Sequence, residues 1–128
     1  MTETSPIVEA LSHGGVIDIT TTGRKTGQPR RIEIVFFHVD GRVYITGFPG
    51  TRAWVANLKA DPRFTFHLKK DVVADLPATA RQVSDPGERE AVLQAALRTW
   101  RREHQLDEFV AAAPLVEVVF DDESLLAA

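Results

Sequence analysis

Residues 16–46, VIDITTTGRKTGQPRRIEIVFFHVDGRVYIT, decide the architecture. Val16 to Thr22 is almost wholly β-branched, a composition that suits a pleated strand better than a helix. A glycine-bounded loop follows. From Arg30 to Val39, Ile32, Ile34 and Phe36 alternate with Arg31 and Glu33, and then Val35 and Phe37 turn both faces apolar, as expected of a strand entering a core. Asp40-Gly41 is a hairpin turn pair, and Arg42 to Thr46 reads as a third strand. Three strands joined this closely predict an antiparallel sheet.

Upstream, Pro6, Ile7, Val8 and Leu11 form a short amphipathic lead that Gly14-Gly15 ends. Downstream, Gly47-Phe48-Pro49-Gly50 is too rich in breakers to extend the third strand. Thr51 is placed to cap a helix from about Arg52 to Ala60, with Trp54, Val55 and Leu58 at helical spacing and Asp61-Pro62 as its stop. Arg63 to Lys69 alternates again, Phe64, Phe66 and Leu68 opposing Thr65 and His67. A further strand pair is expected over Val72–Leu76 and Ala78–Val83, broken at Pro77. Asp85-Pro86 starts a long helix with Glu88 and Glu90 in its first turn. Its stripe of Leu93, Leu97, Trp100 and His104 carries it to about His104. A helical piece over 106–112 leads to Pro114, a last strand spans Leu115 to Phe120, and a fraying tail is expected from Asp121. The order predicts a mainly β, α+β domain over residues 1–128, with about six mostly antiparallel strands able to close into a small barrel.

Composition narrows the function. With 128 residues and 44% hydrophobic content, the chain suits one domain with an ordinary core. It has no cysteine, which rules out disulfides, a thiolate nucleophile and Cys-ligated metal. A formal net charge of −3 gives no bulk support for nucleic-acid or membrane-surface binding. No apolar run approaches the ~20 residues of a membrane span. The first residues lack a basic signal-peptide start, so a cytoplasmic protein is expected. His13, His38, His67 and His104 show no metal-ligand spacing.

The densest chemistry lies in Thr22-Gly23-Arg24-Lys25-Thr26-Gly27-Gln28-Pro29-Arg30. Two glycines permit a tight turn whose N–H groups point outward, while Arg24, Lys25 and Arg30 add positive charge and Thr26 a hydroxyl. Such a set suits a phosphate or carboxylate, and it equally describes a hydrated, charged hairpin turn. The spacing is not that of a Walker A loop. A second signal is Gly47-Phe48-Pro49-Gly50 followed by Trp54 and Asn57. Small residues let a flat ring approach the backbone, and Trp54 offers a stacking wall or is simply the buried face of its helix. Asn57 either donates to a ligand or caps its own helix. Asp18, inside an apolar strand, is expected to pair with an arginine of a neighbouring strand.

Taken together, Thr20–Arg30, Gly41-Arg42-Val43-Tyr44 and Trp54–Pro62 resemble the deazaflavin-dependent nitroreductase family of actinobacteria, over about Val16 to Asp121. The resemblance implies a split β-barrel that binds coenzyme F420. It places Arg24, Lys25, Thr26 and Arg30 at the phosphate and acidic tail, and Gly47, Phe48, Pro49 and Gly50 along the deazaflavin ring, with Trp54 nearby. The implied reaction moves a hydride from the reduced ring to a quinone, enone or nitro compound. Two departures stand out: the segment after the third strand is shorter than in those relatives, and the tyrosines they carry before the last strand are missing. No catalytic residue is therefore assigned. FMN, haem or a fatty acid held among Phe36, Phe37, Phe48 and Phe66 are the alternative ligands on the same barrel, and a homodimer is the expected assembly.

Overall fold

The computed structural model describes residues 5–50 and 52–126. The first strand, β1 (Gly15–Thr22), is paired antiparallel on both sides, with β2 (Pro29–Val39) and with β4 (Arg63–Lys69). Strand β3 (Arg42–Thr46) joins β2 to β6 (Leu115–Phe120), and β5 (Val73–Gln82) joins β6 back to β4. The cyclic order β1-β2-β3-β6-β5-β4 closes the sheet into a barrel. Every strand therefore has two neighbours, although β2 before Phe36 pairs only with β1 and β5 before Ala78 only with β4.

Alternation fills the interior. Ile17, Ile19, Phe36, Val43, Ile45, Phe66, Val116 and Val118 are all 2% exposed or less. Phe66 meets Phe36 and Phe120 edge-on, each with ring centroids 5.2 Å apart. Phe36 and Phe66 are thus core residues rather than pocket walls, and aromatic rings occupy the barrel that an acyl chain would need. The α1 helix (Pro6–His13), started by Ser5 and Pro6, buries Leu11 against this core. A second cluster forms outside the barrel, where α3 (Pro86–Trp100) and α4 (Leu106–Ala112) pack Val92, Leu93, Leu97 and Phe109 over Tyr44 and Leu115.

Three expectations are corrected, and a fourth lies outside the described residues. The two strands predicted around Pro77 are one, β5. The Pro77 carbonyl accepts from the Asp121 N–H, so its nitrogen points to the same side, just past the β5–β6 ladder that begins at Ala78. The missing N–H is not needed there. The long helix stops at Trp100, because Arg101 turns left-handed (φ 58°) and the Arg102 N–H bonds back to Leu97 O; His104 falls in a separate 3-10 turn, Glu103–Gln105. Residues 121–126 are docked, with Asp121 chelated by Arg63 and Leu125 buried in a 3-10 turn. The α2 helix (Ala53–Ala60) has Arg52 at its N-cap without a side-chain hydrogen bond. The predicted cap, Thr51, lies outside the described residues.

Among the described residues no helix is long and apolar enough to cross a membrane, and no cluster of side chains has the make-up of a metal site.

Candidate functional site

The β1–β2 connection is a closed turn. Gly23 N–H donates to Gln28 O and Gly27 N–H to Gly23 O, both at 2.8 Å, while the Thr26 hydroxyl accepts from Gln28 N–H at 3.2 Å. Gly23 is obligatory in this arrangement: a Cβ there would lie 2.9 Å from Thr26 Oγ1 and 3.2 Å from Gln28 O. Gly27 adopts φ +72°, which side-chain-bearing residues rarely take. Two backbone bonds and the Thr26 hydroxyl close the turn, and Arg24, Lys25 and Thr26 border the pocket beside it.

Helix α2 is tied beneath this turn by one carboxamide. Asn57, 4% exposed, donates from Nδ2 to Thr21 Oγ1 at 3.1 Å and accepts at Oδ1 from the Arg24 N–H at 3.1 Å. The Arg24 guanidinium reaches the same oxygen at 3.5 Å. Asn57 thus does not cap its helix by side chain; it locks the turn against α2 from the wall of the pocket.

Between turn and helix lies a pocket of about 390 Å³. Six of the residues singled out in the sequence line it: Arg24, Lys25, Thr26, Arg30, Trp54 and Asn57. Thr21, Ile32 and Ala53 complete the walls without having been singled out. A period of two signals Ile32, which follows Arg30 on the same face of β2, and register signals Thr21, which pairs with Arg30. Ala53 is the first residue of α2, so the pocket meets the positive end of the helix dipole.

The other four predicted residues lie elsewhere. Phe48, 45% exposed, stacks on Trp100 (centroids 5.8 Å, 11° between planes) and meets Phe109 edge-on at 5.6 Å. Arg102 lies over its outer face, 5.2 Å from the centroid. The Phe48 carbonyl accepts from Arg52 Nη2 at 3.2 Å. Gly47 and Gly50 flank it: a Cβ on Gly47 would lie 3.8 Å from both Arg52 Nε and Pro114 Cγ, and one on Gly50 3.5 Å from Arg52 Nη1. Pro49 between them is half-buried. Gly50 opens onto a second cavity on the opposite side of α2. The two predicted groups therefore flank the N-terminal turn of α2 instead of sharing one pocket.

Charge distinguishes the turn from the rest of the barrel. Asp18 holds both Arg31 (2.9 Å) and Lys69 (2.7 Å), so its expected arginine partner is joined by a lysine. Those two contacts, Lys69 first, keep the Asp18 carboxyl below its ordinary range. Arg63 is bound to Asp121, and Arg81 to Glu88 and Glu117. The Tyr44 phenol donates to Glu88 at 3.1 Å, and burial, then that carboxylate, raises its pKa. By contrast, among the described residues no carboxylate lies within ion-pairing distance of Arg24, Lys25 or Arg30. Three cations around one pocket thus have no anion of the chain's own.

Comparison with known proteins places this geometry. Among solved structures, a conserved hypothetical protein of Mycobacterium tuberculosis superposes with a TM-score of 0.75 at 17% identity, over 94% of this chain and 82% of its own. A putative pyridoxamine 5'-phosphate oxidase of Listeria innocua gives 0.68 at 13%, covering 91% and 89%. A structure described as an F420-H2 dependent reductase gives 0.59 at 22%, covering 80% and 92%. These likenesses carry the fold, a split β-barrel. The family model for F420H(2)-dependent quinone reductases matches residues 1–107. The chain belongs to the F420H(2)-dependent quinone reductase family, and is a reductase whose coenzyme is F420.

Proposed function

We propose that the protein reduces a small electrophilic acceptor, a quinone, enone or nitro compound, by hydride transfer from reduced F420, with the coenzyme's anionic tail held at the Arg24-Lys25-Thr26 turn. The observation that carries this reading is the set of three unpaired cations around the 390 Å³ pocket. The residues fit the group. A phosphate with a chain of carboxylates needs several positive charges that the protein does not itself neutralise, and the N-terminus of α2 adds to them.

Arg24 and Arg30 would fork onto phosphate or carboxylate oxygens, Lys25 would add a point charge, and the Thr26 hydroxyl would donate outward while still accepting from Gln28 N–H. Asn57 positions Arg24. Trp54 walls the pocket, and Gly47 to Gly50, lacking bulk at both ends, is the segment assigned to the planar ring. When bound, the reduced coenzyme supplies the hydride. The chain's own contribution is to fix the tail, present the ring on one face and exclude water from the other. With Tyr44 buried against Glu88, no side chain is assigned as a proton donor.

The test is a titration of purified protein with F420, followed by coenzyme fluorescence. Saturable binding at micromolar levels, about −8 kcal/mol, is expected. No binding at hundredfold higher concentration would overturn the reading. A solved relative of this fold is described as a domain-swapped dimer, which favours a homodimer here; light scattering of the eluted protein checks it.

A further inference from the structure

A cavity of about 510 Å³, larger than the pocket at the turn, opens on the other side of α2. Its floor is apolar: Val55 and Ala56 from α2, Val83 after β5, and Ala112 and Leu115 before and within β6. Its ionisable walls are all cationic, Arg52, Lys59 and Arg89, with no aspartate or glutamate lining it. A small-molecule site commonly joins an apolar body with a few convergent polar groups, and this volume falls in that range.

Arg89 is the built element. Its guanidinium donates to four carbonyls: Val110 (3.0 Å) from Nε, Val83 (3.0 Å) from Nη1, and Phe109 (3.3 Å) and Ala113 (2.6 Å) from Nη2. Those acceptors fix the plane of the group but bring no net negative charge. Of the five N–H groups of an arginine, one on Nη1 keeps no acceptor among the described residues. Burial pulls the Arg89 pKa below its ordinary value, and no carboxylate opposes the pull. Lys59, which lines the same cavity from α2, likewise has no carboxylate within ion-pairing distance among the described residues. A half-buried cation held rigid and left without an anion favours whichever ligand brings one.

We propose that this cavity is a second binding site, separate from the coenzyme turn, for a small monoanion with an apolar, ring-sized body. Arg89 and Lys59 take its carboxylate or sulfonate, and the Val55, Ala56, Val83 and Leu115 side takes its hydrocarbon. The coenzyme does not satisfy this description, because its anionic part is extended and multiply charged. The cavity shares none of the turn's cations, and it meets the proposed coenzyme site only at Gly50 on its rim, so the proposal rests on its own walls.

The test is isothermal titration of the unliganded protein with 2-naphthoate, and with neutral 2-naphthamide as its uncharged counterpart. Saturable binding of naphthoate, at least tenfold tighter than the amide, is expected. Lys59→Glu, at an exposed position, should weaken naphthoate at least tenfold without changing the thermal midpoint, while Arg24→Ala with Lys25→Ala should leave it unchanged. Equal binding of the two probes, indifference to Lys59→Glu, or loss of binding in the turn variant would each overturn the proposal. Because F420 affinity is read separately by fluorescence, failure here leaves the coenzyme assignment standing, and the reverse also holds.

Discussion

The barrel carries two groups of arginines that a composition count would not separate. On the β5–β6 wall, Arg81 is clasped by Glu88 and Glu117, Arg42 lies within 4.0 Å of both, and Tyr44 donates into the same network. At the β1–β2 turn, Arg24, Lys25 and Arg30 surround a pocket with no carboxylate among them. The first group spends its charge inside the fold, holding α3 against the barrel. The second keeps its charge available. Paired cations indicate architecture, and cations left unpaired on a rigid turn indicate a ligand that brings the missing sign.

The comparison breaks most visibly where the turn's charge is removed. Arg24→Ala combined with Lys25→Ala should weaken F420 binding by about 2–5 kcal/mol and leave the thermal midpoint nearly unchanged. An unaltered affinity would reduce the turn to a hydrated hairpin. The converse change, Arg81→Ala, leaves Glu88 and Glu117 beside a buried tyrosine with only the longer contacts to Arg42. It should cost about 1–3 kcal/mol in chemical denaturation while the folded fraction binds coenzyme normally. A loss of affinity without loss of stability would show that the two regions are not independent.

Asn57→Ala tests the joint between them. Loss of its bonds to Thr21 and Arg24 should destabilise by about 1–2 kcal/mol and loosen coenzyme binding less than the double charge removal does. Asp18 and Glu88 both have folded pKa values below their ordinary ones, the first through Lys69 and Arg31, the second through Arg81. A depressed carboxylate stabilises the fold above its unfolded pKa and loses that contribution as pH falls through the folded value. Thermal midpoints should therefore hold at neutral pH and fall as pH drops below the ordinary carboxylate range, at about 4. A midpoint flat across that window would deny these pairs a role in stability. The smallest effect is that of salt: raising it should weaken coenzyme binding at the turn while moving the midpoint little, as followed by the same titration.

The sequence made some of this legible and hid the rest for physical reasons. A strand such as Arg63–Lys69 was readable because alternation is local and puts Phe64, Phe66 and Leu68 on a buried face. The turn was readable because its glycines, cations and threonine are contiguous. Pro77 misled because its effect depends on which side of β5 its nitrogen faces, and only the ladder decides that. The surroundings of Phe48 were hidden in another way: Trp100 and Phe109, over fifty residues on, fold against it, and no local pattern signals them. Asn57 offered two local roles and took a third, across to Thr21 and Arg24, that no spacing announces.

That third role has a consequence for how such a protein could be altered. Because α2 is moored to β1 and to the turn through Asn57, its position does not depend on the length of the β3–α2 connector. Changes between Gly47 and Arg52 would then reach the ring end of the coenzyme and its acceptor without displacing the grip on the tail. The two ends of one ligand are held by parts of the chain that can change separately, a division of labour that rests on one buried carboxamide.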